Sequence, residues 1–167
     1  NIHSGQWDPW LCQLFGVPES MLPEVRPSSG DFGNMHHPVI AGAIPIRGVA
    51  GDQQAALFGQ CCFKPGQVKA TFGTGCFLLM NTGRKACDST HGLVTTVAAS
   101  APKTTGLEYA LEGSVFMAGA LMQWLRDGLG LIVDVSETEE LAKSVPDSAG
   151  VCVVPAFTGL GAPYWDA

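Results

Sequence analysis

A short glycine turn near the middle of the chain limits the available folds more than any other feature. The segments at residues 67–72 and 76–81 have the composition of β-strands, and only Gly73-Thr74-Gly75 separates them. A connection of this length suits a tight β-hairpin. The sequence therefore predicts two adjacent strands joined by this turn.

Extended and helical segments follow one another on both sides of the hairpin. Before it, a strand over residues 44–50 leads through Gly51-Asp52 into a helix at residues 53–60. After it come two further strands, a long helix capped by a serine and a second helix that opens with a Ser-x-x-Glu capping box. These later elements are predicted at residues 93–99, 109–111, 114–127 and 136–145. Hairpins followed by helices indicate an α/β fold with a mixed sheet and helices packed against it.

The composition of the chain argues against nucleic acid and membrane as partners. The chain has 167 residues, which suits one domain or parts of two. It carries 9 basic against 15 acidic residues, for a net charge of −6, so we expect no nucleic-acid partner. No apolar run approaches the ~20 residues of a membrane span. A protein of this charge that binds phosphate would use backbone amides and a metal ion rather than lysine clusters.

The cysteines and the chain ends set expectations about the compartment and the extent of the protein. None of the six cysteines forms a Cys-x-x-Cys pair, so we expect buried thiols in a reducing compartment rather than a zinc site. No signal peptide opens the chain, which favours a cytoplasmic location. The chain begins at Asn1 and ends at Ala167, and we expect it to be part of a longer protein.

Asp52 is the first candidate for chemistry. It lies where a strand turns into a helix, and the start of a helix favours an ionised carboxylate that can accept a hydroxyl proton. The same position fits an ordinary helix N-cap, for which aspartate is a preferred residue. The adjacent amides of Gln53 and Gln54 can bind polar substrate groups, or they can simply cap and pack.

The turn Gly73-Thr74-Gly75 is the second candidate. Its glycines allow close backbone approach, its amides can point at one anion, and Thr74 adds a hydroxyl donor. The turn can therefore hold a phosphate, or it can be a plain tight hairpin. It is not a Walker loop, because no Gly-Lys-Ser/Thr sequence follows it.

Gly119 is the third candidate because it lies inside the predicted long helix. Glycine there costs ~1 kcal/mol relative to alanine. Its presence predicts a close approach that a Cβ atom would block, by either a packed neighbour or a ligand ring. Gln123 lies four residues later on the same helical face, where it can reach the same ligand or be solvated.

Longer stretches around these candidates resemble one family of kinases. They read GVAGDQQAALFGQ from Gly48, TFGTGCF from Thr71, YALEGS from Tyr109 and FTGLGAPYW from Phe157. In this order, and over almost the whole chain, they are similar to the glycerol kinases. Those enzymes belong to the sugar and polyol kinase family that has the two-lobed, actin-like (ribonuclease H-like) ATPase fold. The resemblance implies that this chain holds part of that fold, with ATP and substrate bound between the lobes.

The resemblance implies roles on the substrate side of such a site. Asp52 would be the general base that accepts the proton of the attacking glycerol hydroxyl. Gln53 would bind a glycerol hydroxyl, and Phe77 would pack against the glycerol carbons. No residue of the chain is expected to ligate a metal directly, although Asp52 could contact Mg²⁺ indirectly.

The resemblance also implies a nucleotide side. Gly73, Thr74 and Gly75 would hold the phosphates of ATP, and Gly119 and Gln123 would line the nucleotide pocket. Mg²⁺ bridging the phosphates would supply the positive charge that this acidic chain lacks. ATP and Mg²⁺ are therefore the expected cofactors.

The implied domain organisation places the end of the first, substrate-binding lobe at residues 1–61 and the start of the second, nucleotide-binding lobe at residues 62–167. The family's first phosphate hairpin, Asp-Gln-Gly-Thr-Thr, is absent from this sequence, so we expect no kinase activity from this chain alone. A full-length parent is expected to be a homo-oligomer. Two alternatives stay open: a kinase of another sugar or polyol, and a non-catalytic actin-like nucleotide-binding module.

Overall fold

A computed structural model of the chain describes residues 1–100 and 106–166. The described chain forms two compact units. The first unit comprises Asn1–Lys69, Leu79–Asp88 and Val94–Leu111, and the second comprises Ala70–Leu78, Ser89–Leu93 and Glu112–Ala167. These units do not test the lobe boundary expected near residue 61, which stays a prediction.

Short helices and strands alternate along the chain. In order they are α1 (Pro9–Phe15), β1 (Asn34–His36), β2 (Ala43–Pro45), α2 (Asp52–Gly59), β3 (Val68–Phe72), β4 (Cys76–Gly83), β5 (Val94–Val97), β6 (Tyr109–Val115), α3 (Gly119–Gln123) and α4 (Glu137–Lys143). A 3₁₀ turn lies at Glu19–Met21 and a π-helical turn at Trp124–Gly128. Among the described residues, no helix has the length and apolarity needed to cross a membrane.

The strands form two sheets. β1 and β2 are an antiparallel pair with Met35 opposite Ile44, and the larger sheet has the order β3-β4-β6-β5. The hairpin predicted at residues 67–81 is confirmed, because β3 and β4 are neighbours joined only by residues 73–75. The two interior strands carry the most deeply buried side chains, Leu79 on β4 and Ala110 on β6.

The long helix predicted from Ser114 is wrong. β6 continues through Ser114 to Val115, and Ser114 is buried in the sheet instead of capping a helix. Helix α3 begins only at Gly119 and passes at Trp124 into the π-helical turn. Because β6 is an interior strand with a partner on each side, its pairing outweighs the local helical signal.

Two other predicted boundaries also differ. The strand expected over residues 44–50 ends at Pro45, although Ile46 still exchanges backbone hydrogen bonds with the neighbouring segment, from its N–H to Gly33 O at 2.8 Å and from Phe32 N–H to its carbonyl at 3.0 Å. The expected capping box at Ser136 is absent, because the Ser136 side chain does not cap α4. Instead, the Asp134 carboxylate accepts hydrogen bonds from the Ser136 amide at 2.8 Å and from its hydroxyl at 2.6 Å. These two bonds lower the pKa of Asp134 below its usual value.

Candidate functional site

Asp52 is the first residue of α2, and Gly51 precedes it at the N-cap. The Asp52 carboxylate is exposed and accepts a hydrogen bond from the Gln53 amide at 2.8 Å. An N-cap side chain instead accepts from amides two or three residues further along, so the ordinary cap alternative for Asp52 is wrong. An exposed carboxylate in this position is accessible to a hydroxyl group that gives up a proton.

Gln53 connects Asp52 to a buried cation. Its backbone N–H binds Asp52, and its side-chain Oε1 accepts a hydrogen bond from Nζ of Lys69 on β3. Lys69 is only 3% exposed. The first turn of α2 is therefore tied to strand β3 through a polar contact that is shielded from water.

The next glutamine ties the same helix to a second strand. Gln54 Nε2 donates to Thr96 Oγ1 on β5 at 3.1 Å. Leu57, one turn further along α2, is 2% exposed. The start of α2 is thus fixed by polar contacts with both edge strands of the larger sheet, which makes it a rigid support for Asp52.

The glycine turn presents hydrogen-bond donors on one side. The Gly73 amide donates to the Gly75 carbonyl at 2.8 Å. Within residues 1–100 and 106–166, the amides of Thr74 and Gly75 and the hydroxyl of Thr74 have no hydrogen-bond partner. Thr74 is also exposed. Three donors in two consecutive residues can bind one anionic group.

The carbonyl groups of the same turn are fixed by the start of α3. Gly73 O accepts from the Gly119 amide at 2.9 Å, and Thr74 O accepts from the amides of Ala118 and Ala120 at 2.9 and 3.1 Å. In a trans peptide the C=O and N–H groups point in opposite directions. Docking these carbonyls on α3 therefore directs the amides of Thr74 and Gly75 away from that helix.

Close backbone packing explains two of the glycines. A Cβ atom on Gly119 would lie 2.5 Å from the Gly73 carbonyl oxygen, and one on Gly75 would lie 2.6 Å from the Val115 carbonyl oxygen. For Gly119 the structure thus supplies the packed neighbour that was one of the two sequence-based explanations. Its contact with a nucleotide stays a prediction.

The remaining candidates are placed but not tested by the geometry. Phe77 is half-buried on β4, and Gln123 is exposed at the end of α3. Lys69 is the residue that sequence reasoning missed. Lys69 occupies the one buried position of β3, which is an unusual place for a charged side chain and cannot be recognised from the sequence alone.

The side chains of the described residues offer little to a metal ion on their own. Across residues 1–100 and 106–166, no three His, Cys, Asp or Glu side chains come together in a way that could hold one. An indirect contact between Asp52 and a metal ion stays a prediction.

A donor-rich glycine hairpin can bind an anionic group, and an exposed carboxylate at the start of a helix can accept a proton. The chain belongs to the FGGY family of carbohydrate kinases. Its residues 1–59 match the N-terminal domain of that family, and its residues 68–167 match the C-terminal domain. The family resemblance inferred from the sequence is confirmed.

Within this family, the chain is similar to individual glycerol kinases. The glycerol kinase of Pseudothermotoga lettingae is 61% identical over 166 residues, which cover 99% of this chain and 33% of that protein. The glycerol kinase of Shewanella frigidimarina is 59% identical over 167 residues, covering 100% and 33%. The crystal structure of Plasmodium falciparum glycerol kinase with ADP matches with a TM-score of 0.87 and 41% identity, over 99% of this chain and 33% of that one.

These comparisons also define the extent of the fold. The chain spans about one third of the length of the relatives it matches. Its fold is the α/β, actin-like fold of these kinases, represented in part.

Proposed function

We propose that this chain supplies the catalytic base and part of the nucleotide site of an ATP-dependent glycerol kinase, which forms glycerol 3-phosphate. The exposed Asp52 carboxylate at the fixed start of α2 carries the proposal, in a chain about 60% identical to glycerol kinases. The activity belongs to a protein in which residues 1–167 are joined to the rest of the family's length, called here the full-length kinase. Residues 1–167 alone are expected to be inactive.

On the substrate side, Asp52 acts as general base. The glycerol hydroxyl oxygen forms a bond to the γ-phosphorus of ATP, the bond from that phosphorus to the leaving ADP oxygen breaks, and the hydroxyl proton passes to the Asp52 carboxylate. Gln53 binds a glycerol hydroxyl, and Phe77 packs against the glycerol carbons. Phosphoryl transfer depends mainly on alignment and charge stabilisation, which suits an aspartate held on a rigid helix start.

On the nucleotide side, the glycine turn holds phosphate oxygens. The amides of Thr74 and Gly75 and the Thr74 hydroxyl are the donors, and Gly73 keeps the turn tight through its bond to Gly75. Gly119 allows the turn to pack on α3 and borders the nucleotide pocket together with Gln123. Backbone donors serve this purpose in a chain whose net charge is −6.

Mg²⁺ is expected to bind together with the nucleotide, through the phosphate oxygens. The chain's own side chains form no metal cluster among the described residues, whereas phosphate oxygens are good ligands for Mg²⁺. When bound, Mg²⁺ neutralises charge on the phosphates. Asp52 is the residue of this chain that would contact it, through water.

We further propose that the full-length kinase is cytoplasmic and homo-oligomeric, with ATP and glycerol as its partners and neither nucleic acid nor membrane among them. The competing substrates are other sugars and polyols handled by the same family. A screen of glycerol, pentuloses and other polyols with the full-length kinase separates these possibilities, and glycerol should give the highest kcat/KM.

Replacement of Asp52 by asparagine tests the chemistry. Asp52→Asn keeps the shape of the side chain and removes the base, so kcat should fall by roughly 10²–10⁴-fold while thermal unfolding is unchanged. Asp88→Asn is the matched control, because Asp88 is also exposed and has no assigned role. A fall of about threefold or less for Asp52→Asn would favour the non-catalytic module, since general-base loss costs far more.

A further inference from the structure

Lys69 is the buried charged residue of the described chain. It is 3% exposed, and no other charged side chain in residues 1–100 and 106–166 is as deeply enclosed. Removing an ammonium group from water costs several kcal/mol unless polar partners compensate. One of the polar groups that Lys69 meets is the side chain of Gln53, whose Oε1 accepts a hydrogen bond from Nζ.

The contact between Lys69 and Gln53 fixes which way the glutamine amide faces. An ammonium group has only donors, so the amide atom that meets Lys69 Nζ must be the acceptor Oε1. The amide Nε2 is then the atom of Gln53 left for other partners. A glutamine in water could offer either its oxygen or its nitrogen, whereas here the oxygen is already engaged by Lys69 and the N–H groups of Nε2 are the ones that the contact leaves unengaged.

We propose that Lys69 is a positioning residue that orients the Gln53 amide so that Nε2–H donates to a hydroxyl oxygen of the substrate. The inference rests on the proposed function, in which Gln53 contacts glycerol. It adds a direction to that contact: the substrate oxygen accepts from Gln53, and the proton of that hydroxyl is left for a different acceptor. Substrates that lack an acceptor oxygen at this position are therefore selected against.

The backbone of Gln53 strengthens the link to the reacting group. The same residue that Lys69 holds by its side chain donates its own N–H to the Asp52 carboxylate at 2.8 Å. β3 thus fixes, through one glutamine, both a substrate contact and the residue adjacent to the base. The effect of Lys69 on catalysis is expected to pass through Gln53.

The first experiment replaces Lys69 by methionine, which keeps the unbranched stem and removes the donor. In the full-length kinase, Lys69→Met should raise the KM for glycerol by roughly tenfold or more, with the KM for ATP changed by less than about twofold. Lys64→Met is the control, because Lys64 is exposed and only its backbone hydrogen-bonds to Gln67. This control should behave as wild type.

A double-mutant cycle separates positioning from simple structural support. If Lys69 acts through Gln53, then Lys69→Met should add little to the rise in glycerol KM caused by Gln53→Ala. Full additivity, or an equal rise in both KM values, would overturn the proposal.

Gln53→Glu provides a test that leaves the buried lysine intact. The carboxylate can pair with Lys69, so the variant is expected to fold, but it has no N–H to donate. The glycerol KM should rise at least as much as in Gln53→Ala. Wild-type glycerol KM in this variant would refute the donor assignment even if Lys69→Met did not fold.

A failure of the positioning role of Lys69 can be distinguished from a failure of the proposed kinase function. If Asp52→Asn retains its rate, the kinase mechanism fails whatever Lys69 does. If Asp52→Asn loses its rate while Lys69→Met and Gln53→Glu keep the wild-type glycerol KM, the mechanism stands and the positioning role is rejected.

Discussion

Substitution of Gly119 by alanine sets two effects of known size against each other. Alanine in a helix is favoured over glycine by ~1 kcal/mol. Against this, the added Cβ would lie 2.5 Å from the Gly73 carbonyl oxygen, a distance that real Cβ atoms essentially never show. The oxygen belongs to the backbone and already accepts from the Gly119 amide at 2.9 Å, so it cannot rotate away as a side chain could.

The balance favours destabilisation. Overpacking of this kind costs ~1–3 kcal/mol, and each hydrogen bond between the glycine turn and α3 that lengthens costs a further ~0.5–1.5 kcal/mol. After the helix-propensity gain, Gly119→Ala should lower the free energy of unfolding by about 1–3 kcal/mol. Because the turn that moves carries the proposed phosphate donors, the KM for ATP should also rise.

Gly59→Ala is the matched control. Gly59 is also a helical residue, at the end of α2, and a Cβ there would meet nothing within 4 Å. That variant should be neutral or up to ~1 kcal/mol more stable. Thermal and urea unfolding of both variants, with ATP titrations, gives the comparison. Equal unfolding shifts for the two alanines would refute the clash argument.

Two further predictions concern stability. Asn81→Ala should lower the free energy of unfolding, measured in urea, by about 2–4 kcal/mol. The reason is that the Asn81 side chain, which is 3% exposed, donates to Cys62 O at 2.9 Å and accepts from Gly83 N at 2.7 Å. A loss below ~1 kcal/mol would contradict this. The Asp134 carboxyl should titrate below its usual pKa of 3.8, chiefly because it accepts from the Ser136 side chain, so its stabilising contribution is present above that pH and is lost as the pH falls through the lowered value. Carbon-13 NMR titration measures this pKa, and Ser136→Ala should raise it; an unchanged pKa in that variant would rule out the hydroxyl as the cause.

Local chemistry was enough to predict some elements. The hairpin at Gly73-Thr74-Gly75 follows from turn length and glycine content, and the helix after Gly51 follows from small, helix-compatible residues. Gly119 was correctly interpreted as a point of close approach, although it lies at the start of a helix and not inside one. These features depend on residues close together in the sequence.

Features set by distant partners were not predictable in the same way. Ser114 has the chemistry of a helix cap, but pairing of β6 with strands on both sides keeps it extended. Ser136 is a different case, because the residue that binds its amide and hydroxyl in place of a capping box is Asp134, only two positions earlier. The contact between Gln53 and Lys69 joins residues 16 positions apart, and no local pattern around either residue indicates it.

Two peptide units of the glycine turn link the start of α3 to the proposed phosphate donors. Their carbonyl groups accept hydrogen bonds from α3, and their N–H groups are the donors. The carbonyl that accepts from Gly119 and the N–H of Thr74 belong to one amide group, and the carbonyl of Thr74 and the N–H of Gly75 belong to the next. An anion drawn to those N–H groups polarises both amides and strengthens their carbonyls as acceptors. Occupancy of the turn should therefore tighten the first turn of α3, and amide hydrogen exchange at residues 118–120 should slow when the turn is filled.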